Sequence, residues 1–140
     1  MKYSKPYLIL TVLVWLPWGL QCLLDPGNVL EMIGVTSIHA TGNTDIRVMY
    51  GGVQLAVGLM AALTLYDKRH FEKTLWSLAF LGSTMALSRF YGLIVDGSGT
   101  AYTWGVLGYE SFAGLSAIYW LWVLPRLPAQ QVMVADDGLA

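Results

Sequence analysis

The chain has 140 residues, of which 56% are hydrophobic and 12% charged, and its net charge is -1. A soluble globular domain carries roughly 25% Asp, Glu, Lys and Arg because its surface must face water, so half that fraction excludes a wholly aqueous protein. The absence of a basic run excludes nucleic-acid binding, and the single Cys22, with no CxxC pair or Cys/His ligand spacing, excludes an internal disulfide and a zinc site.

The first apolar run covers residues 7–24 and follows Lys2 and Lys5. It exceeds the apolar region of a usual secretory signal, contains Pro17 and has no small-x-small cleavage site, so it is expected to remain as a membrane span. Gln21 stands where a lipoprotein signal places a small residue, which leaves Cys22 as a thiol near a helix end. Asp25-Pro26-Gly27 reads as a turn, and Asn28 with Glu31 three residues later has the spacing of a helix start. Val29, Leu30 and Ile33 give that helix an apolar edge, so a short interfacial helix is expected in this loop. A turn at Thr41-Gly42-Asn43 then leads to the second span, with Asn43 or Thr44 as its cap.

Three more apolar runs come after it: residues 48–66, residues 74–95 interrupted only by Arg89, and residues 101–124 interrupted only by Glu110. A hydrocarbon core about 30 Å thick takes roughly 20 helical residues, and lipid offers no partner to an unpaired backbone group. The runs are continuous, not alternating, which excludes a β-barrel. The predicted fold is therefore an all-α integral membrane protein, a bundle of four transmembrane helices with a short interfacial helix in the first outer loop. Residues 1–125 form the transmembrane domain and residues 126–140 a polar cytoplasmic tail. Lys2, Lys5, Lys68, Arg69, Lys73 and Arg126 fall on one side, whereas the opposite loops carry Asp25, Glu31 and Asp96, which predicts that both termini are cytoplasmic. Trp18, Tyr102 and Trp104 on the outer side, and Tyr3, Tyr66 and Trp76 on the inner side, are expected to anchor at headgroup level.

Three charges lie within the spans: Arg47 one turn into the second, Arg89 near the end of the third and Glu110 about two turns into the fourth. A charge at a span's centre costs about 2.5–3.5 kcal/mol on insertion scales, so three in the outer half are expected to face one another. Helical spacing puts Arg47, Tyr50, Gly51, Gln54, Gly58 and Ala61 on one face of the second span. Arg89 shares a face with Met85, Ala86, Gly82 and Ala79, and Glu110 with Ala113, Gly114 and Ala117. Small residues let helices approach closely in lipid, so Gly51, Gly52, Gly58, Gly82 and Gly114 are expected at helix contacts. The candidate site is Arg47, Tyr50, Gln54, Arg89 and Glu110, with Asp45 nearby. His39 and His70 lie in separate loops, Ser83, Ser88 and Ser111 have no His beside them, and Gly51-Gly52 lacks the following Gly-Lys-Ser/Thr of a phosphate loop. No catalytic residue, metal ligand or cofactor is assigned.

Arg47-x-x-Tyr50-Gly51-Gly52-x-Gln54-x-x-x-Gly58 resembles a bacterial group of small four-helix membrane proteins known as domain of unknown function 4345. Asp25-Pro26, Arg89 and Glu110 extend the likeness over residues 5–125. In size and layout the chain is also similar to the DoxX-like membrane proteins, some of which are linked to quinone-dependent sulfur oxidation. Neither likeness implies a reaction for this chain. The charged cluster is open to a structural reading, in which it fixes helix pairing, and to a functional one. Two guanidinium groups against one carboxylate favour an anionic small molecule or lipid, which arginine binds through a bidentate fork. A partner membrane subunit or a homodimer, a small oligomeric transporter coupled through Glu110, and a quinone-interacting subunit of a redox complex are the other readings.

Overall fold

The computed structural model describes residues 4–97 and 99–123, and these are helical with no strand among them. The chain divides into two compact units. One is Leu8–Lys68, and the other combines the chain up to Tyr7 with the chain from Arg69 onward. The expected polar tail, with Arg126, and the positions Lys2, Tyr3 and Ser98 lie outside the described residues.

Helix α1 spans Lys5–Leu24 and continues through Pro17, and its 20 residues correspond to about 30 Å. The short helix expected in the next loop is present as α2, Pro26–Ile33, but it starts earlier than Asn28. Asp25 is its N-cap, the carboxylate accepting from the Asn28 amide at 3.2 Å, and Pro26 takes the first turn, where its missing N–H leaves nothing unsatisfied. The Asp-Pro pair that reads as a turn is thus the helix start itself. Helix α2 ends in a Schellman motif: Gly34 adopts φ 73°, its amide donates to the Glu31 carbonyl, and the Val35 amide donates to that of Leu30.

Helix α3, Ala40–Ile46, absorbs the segment expected to turn at Thr41-Gly42-Asn43. Neither Asn43 nor Thr44 is its cap; the extended residue before it is His39. Gly42 weakens a helix on propensity alone, yet a Cβ there would stand 2.7 Å from the Ser37 hydroxyl, so close approach of the preceding loop selects glycine over the propensity rule. A π-helical turn at Arg47–Gly52 continues it without a break and leads into α4, Val53–Tyr66. Helices α1 and α4 run antiparallel in direct backbone contact. A Cβ on Gly19 would lie 2.7 Å from the Leu55 nitrogen, and one on Gly58 would lie 3.0 Å from that of Leu16.

In the second unit α5, Phe71–Asp96, and α6, Ala101–Val123, form an antiparallel pair. Gly97 ends α5 at φ 64°, and Thr100 starts α6, its hydroxyl accepting from the Thr103 amide at 3.2 Å. The buried face of α5 runs through Leu75, Leu78, Ala79, Gly82 and Ala86 and that of α6 through Thr103, Glu110, Ala113, Gly114 and Ala117, each at three- and four-residue intervals. The helices touch at Gly82 and Gly114, where a Cβ on either would come within 2.8 Å of the other helix's backbone.

Among the described residues three helical stretches are long and apolar enough to cross a membrane: Lys5–Leu24, Ala40–Tyr66 and Lys68–Asp96. Helix α6 has the length, 23 residues, but carries Glu110 with Tyr102, Trp104, Tyr109, Tyr119, Trp120 and Trp122, whose polar atoms lower its hydropathy. Large apolar side chains such as Leu13, Leu59, Phe80, Leu87, Ile94 and Leu115 are exposed, which an aqueous surface does not tolerate in such number and hydrocarbon does.

The α5–α6 crossing makes a testable demand. Gly114→Val should destabilise the protein in detergent by about 1–3 kcal/mol, the usual penalty for overpacking. Gly108→Ala, where nothing lies within 4 Å of a Cβ, should be neutral or stabilising by up to about 1 kcal/mol through helix propensity. Equal thermal shifts for the two variants would refute the close crossing.

Candidate functional site

Glu110 is 2% exposed, on the face of α6 that Ala113, Gly114 and Ala117 press against α5. Because Gly82 and Gly114 let the backbones meet, Arg89, seven residues beyond Gly82 on α5, reaches Glu110, one turn before Gly114 on α6. The pairing is bidentate: Nε donates to one carboxylate oxygen and Nη2 to the other, both at 2.8 Å. Arg89 is 24% exposed, so the carboxylate is sealed while part of the guanidinium stays accessible. Such a fork is charge-neutral and directional, the strongest form of protein ion pair. Three residues from Glu110 the Tyr7 hydroxyl donates to the Ala113 carbonyl at 2.7 Å, and the Tyr7 ring meets Phe112 edge-on at 6.2 Å, so the start of α1 is also fixed on α6.

Arg47 belongs to the other unit and is held differently. Its Nη1 donates to the carbonyls of Leu23 and Leu24, the last two residues of α1. A helix end leaves its final carbonyls without intrahelical partners, and a cation there also meets the negative end of the helix dipole. The π-helical turn sets this geometry. The Val53 amide donates to the Val48 carbonyl, five residues back, and the extra residue per turn brings Gly51 against Leu23, whose backbone would be 3.1 Å from a Cβ there.

The same turn changes which residues share a face. One inserted residue rotates the helix before it by about 100° relative to the helix after it, so a 3.6-residue projection fails across Arg47–Gly52. Gln54, Gly58 and Ala61 are buried along α4 with Val57 and Thr64, whereas Tyr50 is 37% exposed, Arg47 is half-buried and Asp45 lies exposed on α3. Gly51, Gly58, Gly82 and Gly114 all stand at close helix approaches; Gly52 is exposed, with only the Arg47 carbonyl near a Cβ, at 3.9 Å. His39 precedes α3 and His70 closes a 3-10 turn at Lys68–His70, and among the described residues no three His, Cys, Asp or Glu side chains gather as metal ligands. Sequence reasoning missed the Leu23 and Leu24 carbonyls and Tyr7. Nothing in a sequence flags a carbonyl as an acceptor, and Tyr7 reads as an ordinary residue at the start of a span.

The Arg89–Glu110 fork predicts strong non-additivity. Arg89→Gln takes the cation from the buried Glu110 carboxylate, which typically costs 3–5 kcal/mol, Glu110→Gln should cost less because Arg89 is partly exposed, and the double replacement should recover much of the larger loss. Thermal unfolding of the two single variants and the double variant in detergent measures the coupling; additive effects would mean that the pair carries no coupling energy.

No curated protein and no solved structure matches the chain. One family model does, and it covers residues 4–123, which contain α1 through α6, Arg47, Arg89 and Glu110. The chain therefore belongs to the family defined by the domain of unknown function DUF4345.

Proposed function

We propose that the protein is a four-span bacterial inner-membrane protein, with both termini cytoplasmic and α2 at the outer interface, that binds an anionic small molecule or lipid without catalysing a reaction. The observation that carries this reading is a difference between its two in-span arginines. Arg89 is neutralised by Glu110. Arg47 has only backbone carbonyls as partners among the described residues, so no carboxylate offsets its charge at the end of a span. A cation in that setting lowers the free energy of any anion that reaches it, and more so than in water because the surrounding dielectric is low.

The membrane placement draws on three apolar stretches of 20, 27 and 29 residues and on the length of α6. Tyr66 and Trp104 are exposed near helix ends, where amphipathic rings favour the headgroup layer. The positive residues Lys68 and Arg69 between α4 and α5, with Lys73 in the first turn of α5, favour the cytoplasmic side for that end.

Mass spectrometry of the protein purified in mild detergent should find an anionic small molecule or lipid bound in near-stoichiometric amount. A preparation that carries only detergent or neutral lipid would overturn the reading. In a Cys22→Ser background, a cysteine placed at Ser37 should react with an impermeant reagent added from the periplasmic side. Reaction only from the cytoplasm would invert the topology.

A further inference from the structure

Arg47 and Arg89 use different edges of the same group. Arg89 presents its Nε/Nη2 edge, and that edge holds both oxygens of a carboxylate at 2.8 Å. Arg47 commits Nη1 to the carbonyls of Leu23 and Leu24, and among the described residues its Nε/Nη2 edge meets no acceptor. The nearest acid in sequence to those carbonyls, Asp25, is turned onto the Asn28 amide as the cap of α2, and Asp45 is not paired with Arg47. Arg47 therefore has a fixed, half-buried guanidinium whose fork matches an oxyanion and has none from the protein.

We propose that the Nε/Nη2 edge of Arg47 is a phosphate site, and that the phosphate is that of an anionic membrane lipid. This rests on the anion-binding reading above and gives it a place and a chemical class. The site lies where α1 ends and polar chain begins, the level at which a spanning helix meets headgroups. Exposed apolar side chains adjoin it on both segments: Leu23 and Leu24 at the end of α1, Val48 and Met49 in the π-helical turn. A ligand with an acyl chain gains from covering that surface, whereas a free oxyanion does not. The carbonyls held by Nη1 fix the guanidinium plane, so binding need not immobilise a mobile side chain.

The experiment measures retention of phosphatidylglycerol by native mass spectrometry, together with the thermal stabilisation that the lipid confers, on the full chain in mild detergent. The wild type should retain the lipid. Arg47→Lys keeps a cation that can reach the carbonyls but loses the fork, and should weaken retention about tenfold; Arg47→Gln should weaken it by about 10- to 100-fold. If Arg47→Gln fails to fold for want of the helix cap, Arg47→Lys decides alone. Lys73→Gln should leave retention unchanged, since that residue opens α5 far along the chain. Inorganic phosphate is the second probe: at low millimolar concentration it should neither displace the lipid nor stabilise the protein. Displacement by it would overturn the lipid assignment and make a soluble phosphate compound the ligand of the same edge. Lipid retention equal in wild type and Arg47→Lys overturns the site while the anion-binding reading stands; no retained anion of any kind overturns both.

Discussion

A carboxylate that is 2% exposed in a helix pair lined with alanine and glycine needs hydrogen-bond donors brought to both of its oxygens, and the α5–α6 pair is arranged around that requirement. Close backbone contact at Gly82 and Gly114 comes first, because only without side chains at the crossing do the axes come near enough for Arg89 to reach across. The fork then fixes both register and rotation, since Nε and Nη2 meet the two Glu110 oxygens only when the helices present one particular pair of faces. Apolar packing in lipid specifies register poorly, because lipid tails are as apolar as leucine. The pair supplies specificity, and the small residues supply the proximity that makes the pair attainable.

The Leu8–Lys68 unit solves a different problem with the same side chain. Where α1 ends, its last carbonyls have no next turn to bond with, and near hydrocarbon an unsatisfied carbonyl is expensive. The Asp25 amide meets the Gln21 carbonyl, and Arg47 meets those of Leu23 and Leu24 from elsewhere in the chain. An arginine supplied in this way both satisfies the backbone and opposes the helix dipole. The π-helical turn is what delivers it. Without the added residue, Arg47 would be rotated by about 100° with respect to Gly51, and the close seat of Gly51 on Leu23 and the reach of Arg47 to the same residue would not coexist.

Much of this was legible in the sequence, for physical reasons that differ by element. Long apolar runs mark helices because lipid permits little else, and α1 and α5 depart from residues 7–24 and 74–95 by at most three residues at any end, while α6 starts at Ala101 as the run from residue 101 does. Arg89 and Glu110 were recognisable as partners because each shares a three-and-four-residue face with small side chains, and both helices remain regular between those residues and the crossing. The first loop was legible only in outline. Asp25-Pro26 satisfies turn and helix-start rules equally, and its neighbour Asn28, also a cap former, competes for the same role. Across Arg47–Gly52 the reading failed for a definite reason: a helical wheel assumes 3.6 residues per turn, and no residue type announces a π-helical turn. Tyr50 falls beside Gln54 on that assumption and is instead exposed.

The geometry also bears on the transporter reading, in which Glu110 would carry coupling. A carboxylate that moves protons or ions must exchange partners during each cycle, so it needs a second site for its charge or a route for water to reach it. Both oxygens of Glu110 are engaged by Arg89, and the flanking Ala113, Gly114 and Ala117 are buried against α5. Opening the pair by separating the helices would forfeit the Gly82–Gly114 contact, and opening it by rotating α6 would carry the carboxylate toward the exposed Phe112 and Leu115 side of the helix. Either motion takes the Glu110 carboxylate off its cation, at several kcal/mol. The proposed site at Arg47 carries no such constraint: an anion on its Nε/Nη2 edge would come and go while Nη1 stays on the α1 carbonyls, so binding there would require no helix to move.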